Sequence, residues 1–116
     1  MILCAIDDLL FSIKISTAAR QLGVDVYFER KAEGVIPRIR EKRPSLVIFD
    51  LNSAALQPLD TIERLKADPE MRGMRTLGYV SHVDSATIAA ARSAGVDQVL
   101  ARSAFVDQLG EILTNG

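Results

Sequence analysis

Four apolar residues that run straight into an aspartate, LVIFD at positions 46–50, decide the fold of this chain. The apolar residues do not alternate with polar ones, so a strand built from them must be covered on both faces. Such strands belong to parallel sheets that lie between two layers of helices. The pattern predicts a central buried strand with Asp50 at its carboxyl end.

The same pattern opens the chain, where ILCAI at positions 2–6 runs into Asp7 and Asp8. Further strands are predicted at residues 24–28, 76–80 and 96–101, and the alternation of Val24, Val26 and Phe28 indicates a sheet edge. Helices are predicted at residues 10–22, with Leu10, Ile13, Thr17 and Leu22 at helical spacing, and at 32–42, 59–65, 84–94 and 106–113.

This order is a fivefold β-α alternation, which predicts a (βα)5 three-layer sandwich with a mainly parallel sheet and right-handed crossovers. At 116 residues the chain fits one domain, because two domains would each lack a sufficient core. We therefore expect residues 1–116 to form a single domain without an output domain in the chain.

Composition excludes several classes of function. The formal charge of −1 provides no basic field for nucleic acid or an anionic membrane. We find no apolar stretch long enough for membrane insertion and no basic, cleavable leader, so the expected location is the cytoplasm. The single cysteine, Cys4, fits a reducing compartment.

Polar residues follow the predicted strands at the edge where ligands bind in open parallel sheets. Asp7, Asp8 and Asp50 would repel one another there, and a hard cation such as Mg²⁺ would relieve that repulsion. With a cation bound, Asp50 could act as a nucleophile toward phosphorus. Ser81 and Arg102 would then offer a hydroxyl donor and a cation to the phosphoryl oxygens.

Simpler interpretations stay open for the same residues. Asp7 and Asp8 could be a solvated cap of the first helix, and Asp50 a cap of the loop that follows it. Arg102 could pair with one of the carboxylates and neutralise the pocket without metal. A small enzyme or flavin carrier is disfavoured, because no glycine-rich phosphate loop follows any predicted strand.

The chain resembles the receiver domains of bacterial two-component response regulators over nearly its whole length. The resemblance lies in the strand-end motifs ILCAIDD (2–8) and LVIFDLN (46–52), in Ser81, and in the segments AAARSAGV (89–96) and LARSAF (100–105). It implies a flavodoxin-like fold with a five-stranded parallel sheet in the order 2-1-3-4-5. It also implies that Asp50 is the phosphoacceptor, that Ser81 is the switch hydroxyl, and that Arg102 replaces a lysine.

For the metal, the resemblance implies Mg²⁺ held by Asp7, Asp8, Asp50 and the backbone carbonyl of Asn52. It implies a sensor histidine kinase or phosphotransfer protein as phosphodonor, a downstream protein partner, and no enzymatic activity beyond self-phosphorylation and autodephosphorylation. The partner surface would comprise the fourth helix and its neighbours: Ala86, Ala89, Ala90, Arg92, Val99 and Arg102. A homodimer through this face stays an alternative.

Several residues depart from the family pattern. Arg102 and Ser103 replace a lysine and a proline, Val99 stands where many receivers carry an aromatic residue, and His82 stands where a small side chain is usual. The loop from Asn52 onward also lacks the usual proline and glycine. These departures favour an alternative function, a pseudo-receiver that binds partners without phosphoryl transfer.

Overall fold

The computed structural model describes residues 1–81 and 84–116. In this part of the chain a single sheet contains five parallel strands in the order β2-β1-β3-β4-β5, which confirms the predicted topology. The strands are β1 (Ile2–Ala5), β2 (Val26–Glu29), β3 (Leu46–Asp50), β4 (Arg75–Val80) and β5 (Gln98–Ala101). The order places β2 at one edge of the sheet, as its alternating sequence predicted.

Helices cover both faces of the sheet. They are α1 (Leu9–Leu22), α2 (Ala32–Lys42), α3 (Pro58–Ala67), α4 (Ser85–Ala94), α5 (Arg102–Asp107) and α6 (Leu109–Asn115), with a short 3-10 turn at Ala54–Leu56. α1 ends at Gly23, whose φ of 70° lies in the left-handed region that glycine adopts without strain. No helix in the described ranges is long and apolar enough to cross a membrane.

The burial of β3 confirms that this strand is covered on both faces. Val47 and Phe49 point into a core formed with α2, α3 and α4, whereas Leu46 and Ile48 point into a second core formed with α1, α5 and α6. Ile48 and Phe49 have no exposed surface. Cys4 lies in the second core, where burial raises the pKa of its thiol, consistent with a packing role.

The apolar residues whose spacing predicted α1 do not form its buried face. The helix buries Phe11, Ile15 and Ala19, whereas Leu10 and Ile13 are 80% and 54% exposed. An aromatic cluster fixes this orientation, because the Phe11 ring lies 5.0 Å from that of Tyr79 and 5.8 Å from that of Phe105. Burying Phe11 turns the neighbouring leucine outward, since residues one position apart face different directions on a helix.

The predicted start of the last helix, at residue 106, is also wrong. Helix α5 begins at Arg102, directly after β5, and α6 follows after an interruption at Gln108. The reason is that Phe105, Leu109 and Leu113 form one buried stripe at four-residue spacing. A helix that begins at residue 106 would leave Phe105 outside the stripe.

Candidate functional site at the carboxyl edge of the sheet

The parallel strands bring the predicted site residues together at one edge of the sheet. Asp7 and Asp8 follow β1, Asp50 ends β3, and Ser81 follows β4, while Arg102 follows β5 at the first position of α5. Because β1, β3, β4 and β5 are neighbours in that order, the side chains interact electrostatically: Asp7, Asp8 and Arg102 all influence the pKa of Asp50.

The carboxylate of Asp8 contacts two residues in the part of the chain that the structure describes. Its Oδ1 accepts a hydrogen bond from the backbone nitrogen of Phe11 at 3.0 Å and caps the N-terminus of α1. Its Oδ2 lies 3.6 Å from Nη2 of Arg102. The structure therefore contains both contacts that the simpler interpretations anticipated for this carboxylate, the helix cap and the arginine pair.

Arg102 contacts the site from the α5 side. Besides its ion pair with Asp8, its guanidinium carbon lies 4.2 Å from the centroid of the Phe11 ring, which is a close cation–π contact. The side chains of Arg102 and Asp8 are 40% and 41% exposed, so water screens their attraction. The stacking on Phe11 adds a geometric restraint that an exposed ion pair alone lacks.

Asp7 is held by a residue that the sequence did not indicate. Oγ of Ser53 donates a hydrogen bond to Oδ1 of Asp7 at 3.0 Å, and Ser53 is itself buried. The two residues are 46 positions apart, and their contact depends on how the loop after β3 folds over the sheet edge. Ser53 was visible only as a hydroxyl three residues after Asp50, which is too common a pattern to predict this contact.

Asp50 is half-buried between these partners. Burial is the main reason that its pKa is raised above the ordinary value, and the charges of Asp7 and Asp8 raise it further. The backbone N–H of Asn52, which donates to Oδ1 of Asp50 at 3.0 Å, and the charge of Arg102 both oppose that rise. The pKa of Asp50 is raised on balance because burial outweighs these two opposing effects.

The residue after Asp50 determines how closely the loop packs on the sheet. Leu51 is buried, and its backbone nitrogen donates to the carbonyl oxygen of Tyr79 at 3.0 Å. A Cβ atom on Gly78 would lie 2.6 Å from Cδ1 of Leu51, so only glycine admits this side chain over β4. Gly78 thus leaves the space that Leu51, the residue after Asp50, occupies over β4.

Asn52 links two loops of the site. Its side-chain Oδ1 accepts a hydrogen bond from the backbone nitrogen of Ser81 at 2.6 Å. The sequence predicted a role for the backbone carbonyl of Asn52 and none for its amide side chain. His82, which follows Ser81 in the sequence, lies outside the described residues.

The donor chemistry of the site fits a hard cation, since three carboxylates and a loop carbonyl are oxygen ligands of the kind that Mg²⁺ takes. The geometry is not preassembled. Within residues 1–81 and 84–116, no group of three or more histidine, cysteine, aspartate or glutamate side chains is arranged to hold a metal ion. Ser53 binds Oδ1 of Asp7 and Asn52 binds Oδ1 of Asp50, whereas Asp8 has both oxygens engaged, one by the helix cap and one by Arg102. Ligation of a cation by these three carboxylates stays a prediction.

Comparison with solved structures identifies proteins with this fold. The phosphorylated cyanobacterial phytochrome response regulator RcpA superposes with a TM-score of 0.82 at 19% identity, over 98% of this chain and 88% of RcpA. The Mn²⁺-bound form of response regulator Rcp1 gives a TM-score of 0.78 at 14% identity, over 96% and 89% of the two chains.

A CheY-like response regulator receiver domain protein from Methanospirillum hungatei gives a TM-score of 0.79 at 16% identity, over 98% and 93% of the two chains. No family model matches the sequence, and no curated protein matches it. The likeness is therefore one of fold, over nearly the whole chain.

Proposed function

Since this chain has the fold of response-regulator receiver domains, we propose that residues 1–116 form a receiver of two-component signal transduction that accepts a phosphoryl group on Asp50 with Mg²⁺. One observation supports this proposal above the others. The sheet edge places a half-buried Asp50 beside Asp7, Asp8 and Arg102, with Ser81 attached through Asn52. The free, buried thiol of Cys4 fits a reducing, cytoplasmic setting.

In the proposed reaction, a carboxylate oxygen of Asp50 attacks phosphorus of a phosphohistidine. A new bond forms between phosphorus and that oxygen, and the bond from phosphorus to the histidine nitrogen breaks with its electron pair left on nitrogen. Asp7, Asp8, Asp50 and the backbone carbonyl of Asn52 would hold Mg²⁺, which would offset the negative charge of the carboxylates and the phosphoryl oxygens. Beyond this self-phosphorylation and autodephosphorylation, in which water attacks the aspartyl phosphate and releases inorganic phosphate, we propose no enzymatic activity.

Ser81 and Arg102 would bind the oxygens of the phosphoryl group on Asp50. A phosphoryl group adds negative charge and acceptor oxygens, which attract a hydroxyl donor and a guanidinium. Arg102 already lies at the site edge, within 3.6 Å of Asp8, and Ser81 is exposed at the end of β4. Movement of Ser81 toward the phosphoryl group would break its amide's contact with Asn52 and change the surface around α4 and β5.

Two surfaces would meet protein partners. Leu9, Leu10 and Ile13 of α1 are 62%, 80% and 54% exposed and follow directly after Asp8, so a histidine kinase or phosphotransfer protein that reaches Asp50 would cover them. The downstream partner would bind α4, where Ala86 and Ala89 are exposed small residues, and a homodimer through that face is the alternative.

The experiment is treatment of the purified protein with acetyl phosphate, followed by intact-mass measurement. We expect one added phosphoryl group on the wild-type protein when Mg²⁺ is present, and none in EDTA. The Asp50→Asn variant should stay unlabelled, with Asp60→Asn, an exposed carboxylate on α3, as the matched control that still labels. An unlabelled wild-type protein would contradict the proposal.

The pseudo-receiver is the second candidate, and one observation favours it. The contacts from Ser53 to Asp7 and from Arg102 to Asp8 give both carboxylates protein partners, as a site without metal requires. In the parent cell, a pseudo-receiver should tolerate Asp50→Asn and Asp50→Glu equally. Loss of signalling with the first and constitutive signalling with the second would rule it out.

A further inference from the structure

Arg102 is restrained from two sides at the mouth of the acidic site. Its Nη2 approaches Oδ2 of Asp8 to 3.6 Å, and its guanidinium carbon lies 4.2 Å from the Phe11 ring centroid. Phe11 cannot turn away easily, because its own ring packs in a buried cluster against Tyr79 and Phe105. The guanidinium is therefore stacked on a fixed surface while it faces the carboxylate.

Asp8 has one oxygen that its helix does not use. Oδ1 accepts the N–H of Phe11 and caps α1, which leaves Oδ2 as the oxygen available to a cation. That oxygen is the one that Arg102 faces. A divalent cation that binds Asp8 would thus meet the guanidinium at the same oxygen, and two positive charges do not share one carboxylate oxygen at low cost.

We propose that Arg102 is the resident counter-ion of this site and that a divalent cation binds Asp8 in exchange for it. The inference deepens the proposed function, because it concerns the cation that the phosphorylation of Asp50 would use. Arg102 lowers the affinity of the site for the cation, and cation binding frees the guanidinium to meet a phosphoryl group. Binding of the cation would thus neutralise the carboxylates and, in the same step, release Arg102 to bind a phosphoryl group.

Phe11 is the positioning residue of this exchange. The planar guanidinium stacks on an aromatic face and presents its edge to the carboxylate at the same time, which a compact ammonium does less well. Loss of the ring would leave the charge of the site unchanged and remove the restraint on Arg102. If Phe11→Leu changes the affinity for the cation, Arg102 must compete with the cation for Asp8 directly. Long-range repulsion by the charge of Arg102 alone would leave the affinity of Phe11→Leu unchanged.

The test is titration calorimetry with Mg²⁺, and with Mn²⁺ as a second probe, on the full chain at neutral pH. Because the cation no longer has to displace an exposed ion pair and a cation–π contact, we expect Arg102→Ala to bind it about 3- to 10-fold more tightly than wild type. Phe11→Leu should bind about 2- to 5-fold more tightly. Adding Phe11→Leu to Arg102→Ala should change nothing further.

Two further variants serve as controls. Arg92→Ala removes the same charge from exposed α4, away from Asp8, and should keep the wild-type affinity. Arg102→Lys keeps the charge but not the planar group and should lie between wild type and Arg102→Ala, which keeps the test valid if Phe11→Leu fails to fold. Thermal unfolding without metal establishes which variants are folded.

Wild-type affinity in Arg102→Ala would overturn the inference. Tighter binding in Arg102→Ala with wild-type affinity in both Phe11→Leu and Arg102→Lys would also overturn it, because only long-range charge would then act. If none of these proteins binds the cation, the Arg102–Asp8 ion pair is not what limits cation binding, and the inference is wrong. Labelling of Asp50 by acetyl phosphate decides the proposed function separately from all of these outcomes.

Discussion

The amide side chain of Asn52 accepts a hydrogen bond from the backbone nitrogen of Ser81 at 2.6 Å, across 29 positions of sequence. This contact joins the loop after β3 to the loop after β4. It restrains Ser81, the residue that would move toward a phosphoryl group on Asp50. The same Asn52 donates its own backbone N–H to Asp50. One residue therefore contacts both the phosphoacceptor and the switch segment.

Asn52→Ala should release Ser81. A net hydrogen bond contributes about 1 kcal/mol, so the amide of Ser81 should exchange its hydrogen roughly 3- to 10-fold faster in the variant. Amide exchange followed by NMR measures this directly. Asn52→Asp keeps an acceptor oxygen at the same position and should retain the protection; equal protection in wild type and Asn52→Ala would contradict the role of the side chain.

Leu10→Glu should weaken phosphotransfer from a protein donor while leaving labelling by acetyl phosphate intact. The reason is that Leu10 is exposed two positions after Asp8 and would contact the donor protein without taking part in the chemistry, so a charge there would disrupt docking and spare the reaction. Leu22→Glu is the matched control, since Leu22 is also exposed on α1 but lies at its far end. Equal losses in the two variants would rule out a docking surface at the first turns of α1.

Asp50→Asn should stabilise the protein at neutral pH and not in acid. Burial, together with Asp7 and Asp8, raises the pKa of Asp50 above its ordinary value of 3.8 in the folded state. Proton binding by Asp50 therefore adds to the free energy of unfolding of the wild-type protein. This stabilisation is present in full below pH 3.8 and is lost as the pH rises through the raised pKa.

The asparagine side chain of Asp50→Asn cannot ionise, so the variant does not lose this stability as the pH rises. The variant should therefore have a higher melting temperature than wild type at neutral pH and no such gain below pH 3.8. Thermal unfolding followed by circular dichroism across the pH range tests it, with exposed Asp107→Asn as control. A gain that is the same in acid and at neutral pH would show a cause other than ionisation.

Gly78→Ala should destabilise the fold by about 1–3 kcal/mol, because the new Cβ overlaps Leu51 and the well-packed core cannot absorb it. Denaturant unfolding gives the value. The cost should shrink in a Leu51→Ala background, where the overlapping atoms are gone, so a double-mutant cycle isolates the contact. Gly73→Ala meets no neighbour within 4 Å and should change stability by less than about 0.5 kcal/mol. An undiminished cost in the Leu51→Ala background would locate the strain elsewhere.

The apolar pattern predicted the parallel sheet and the gathering of Asp7, Asp8 and Asp50, whereas the strand order came from the resemblance to receiver domains. Apolar runs that end in polar residues show where strands stop, and parallel pairing brings those ends to one edge. The orientation of α1 was not predictable in the same way. Leu10, Ile13 and Thr17 form as good a stripe as Phe11, Ile15 and Ala19, and only the packing of Phe11 on Tyr79 decides between them.

The partners of the site carboxylates were harder to predict than the carboxylates themselves. Ser53 reaches Asp7 only through the path of a loop, and loop geometry leaves little trace in the residue types. The Arg102 to Asp8 pair was one of several that the sequence allowed, and its stacking on Phe11 depends on the helix that begins at Arg102 itself. Long-range side-chain contacts of this kind are fixed by tertiary packing.

The helix cap at Asp8 has a mechanical consequence. Its Oδ1 is tied to the backbone of Phe11, so the carboxylate is rigidly joined to the first turn of α1. A protein that binds Leu10 and Ile13 and tilts the first turn of α1 would displace the Asp8 oxygens together with the helix. A single hydrogen bond connects the first turn of α1 to the Asp8 carboxylate. Docking of a protein on this turn would therefore be coupled to the geometry around Asp50.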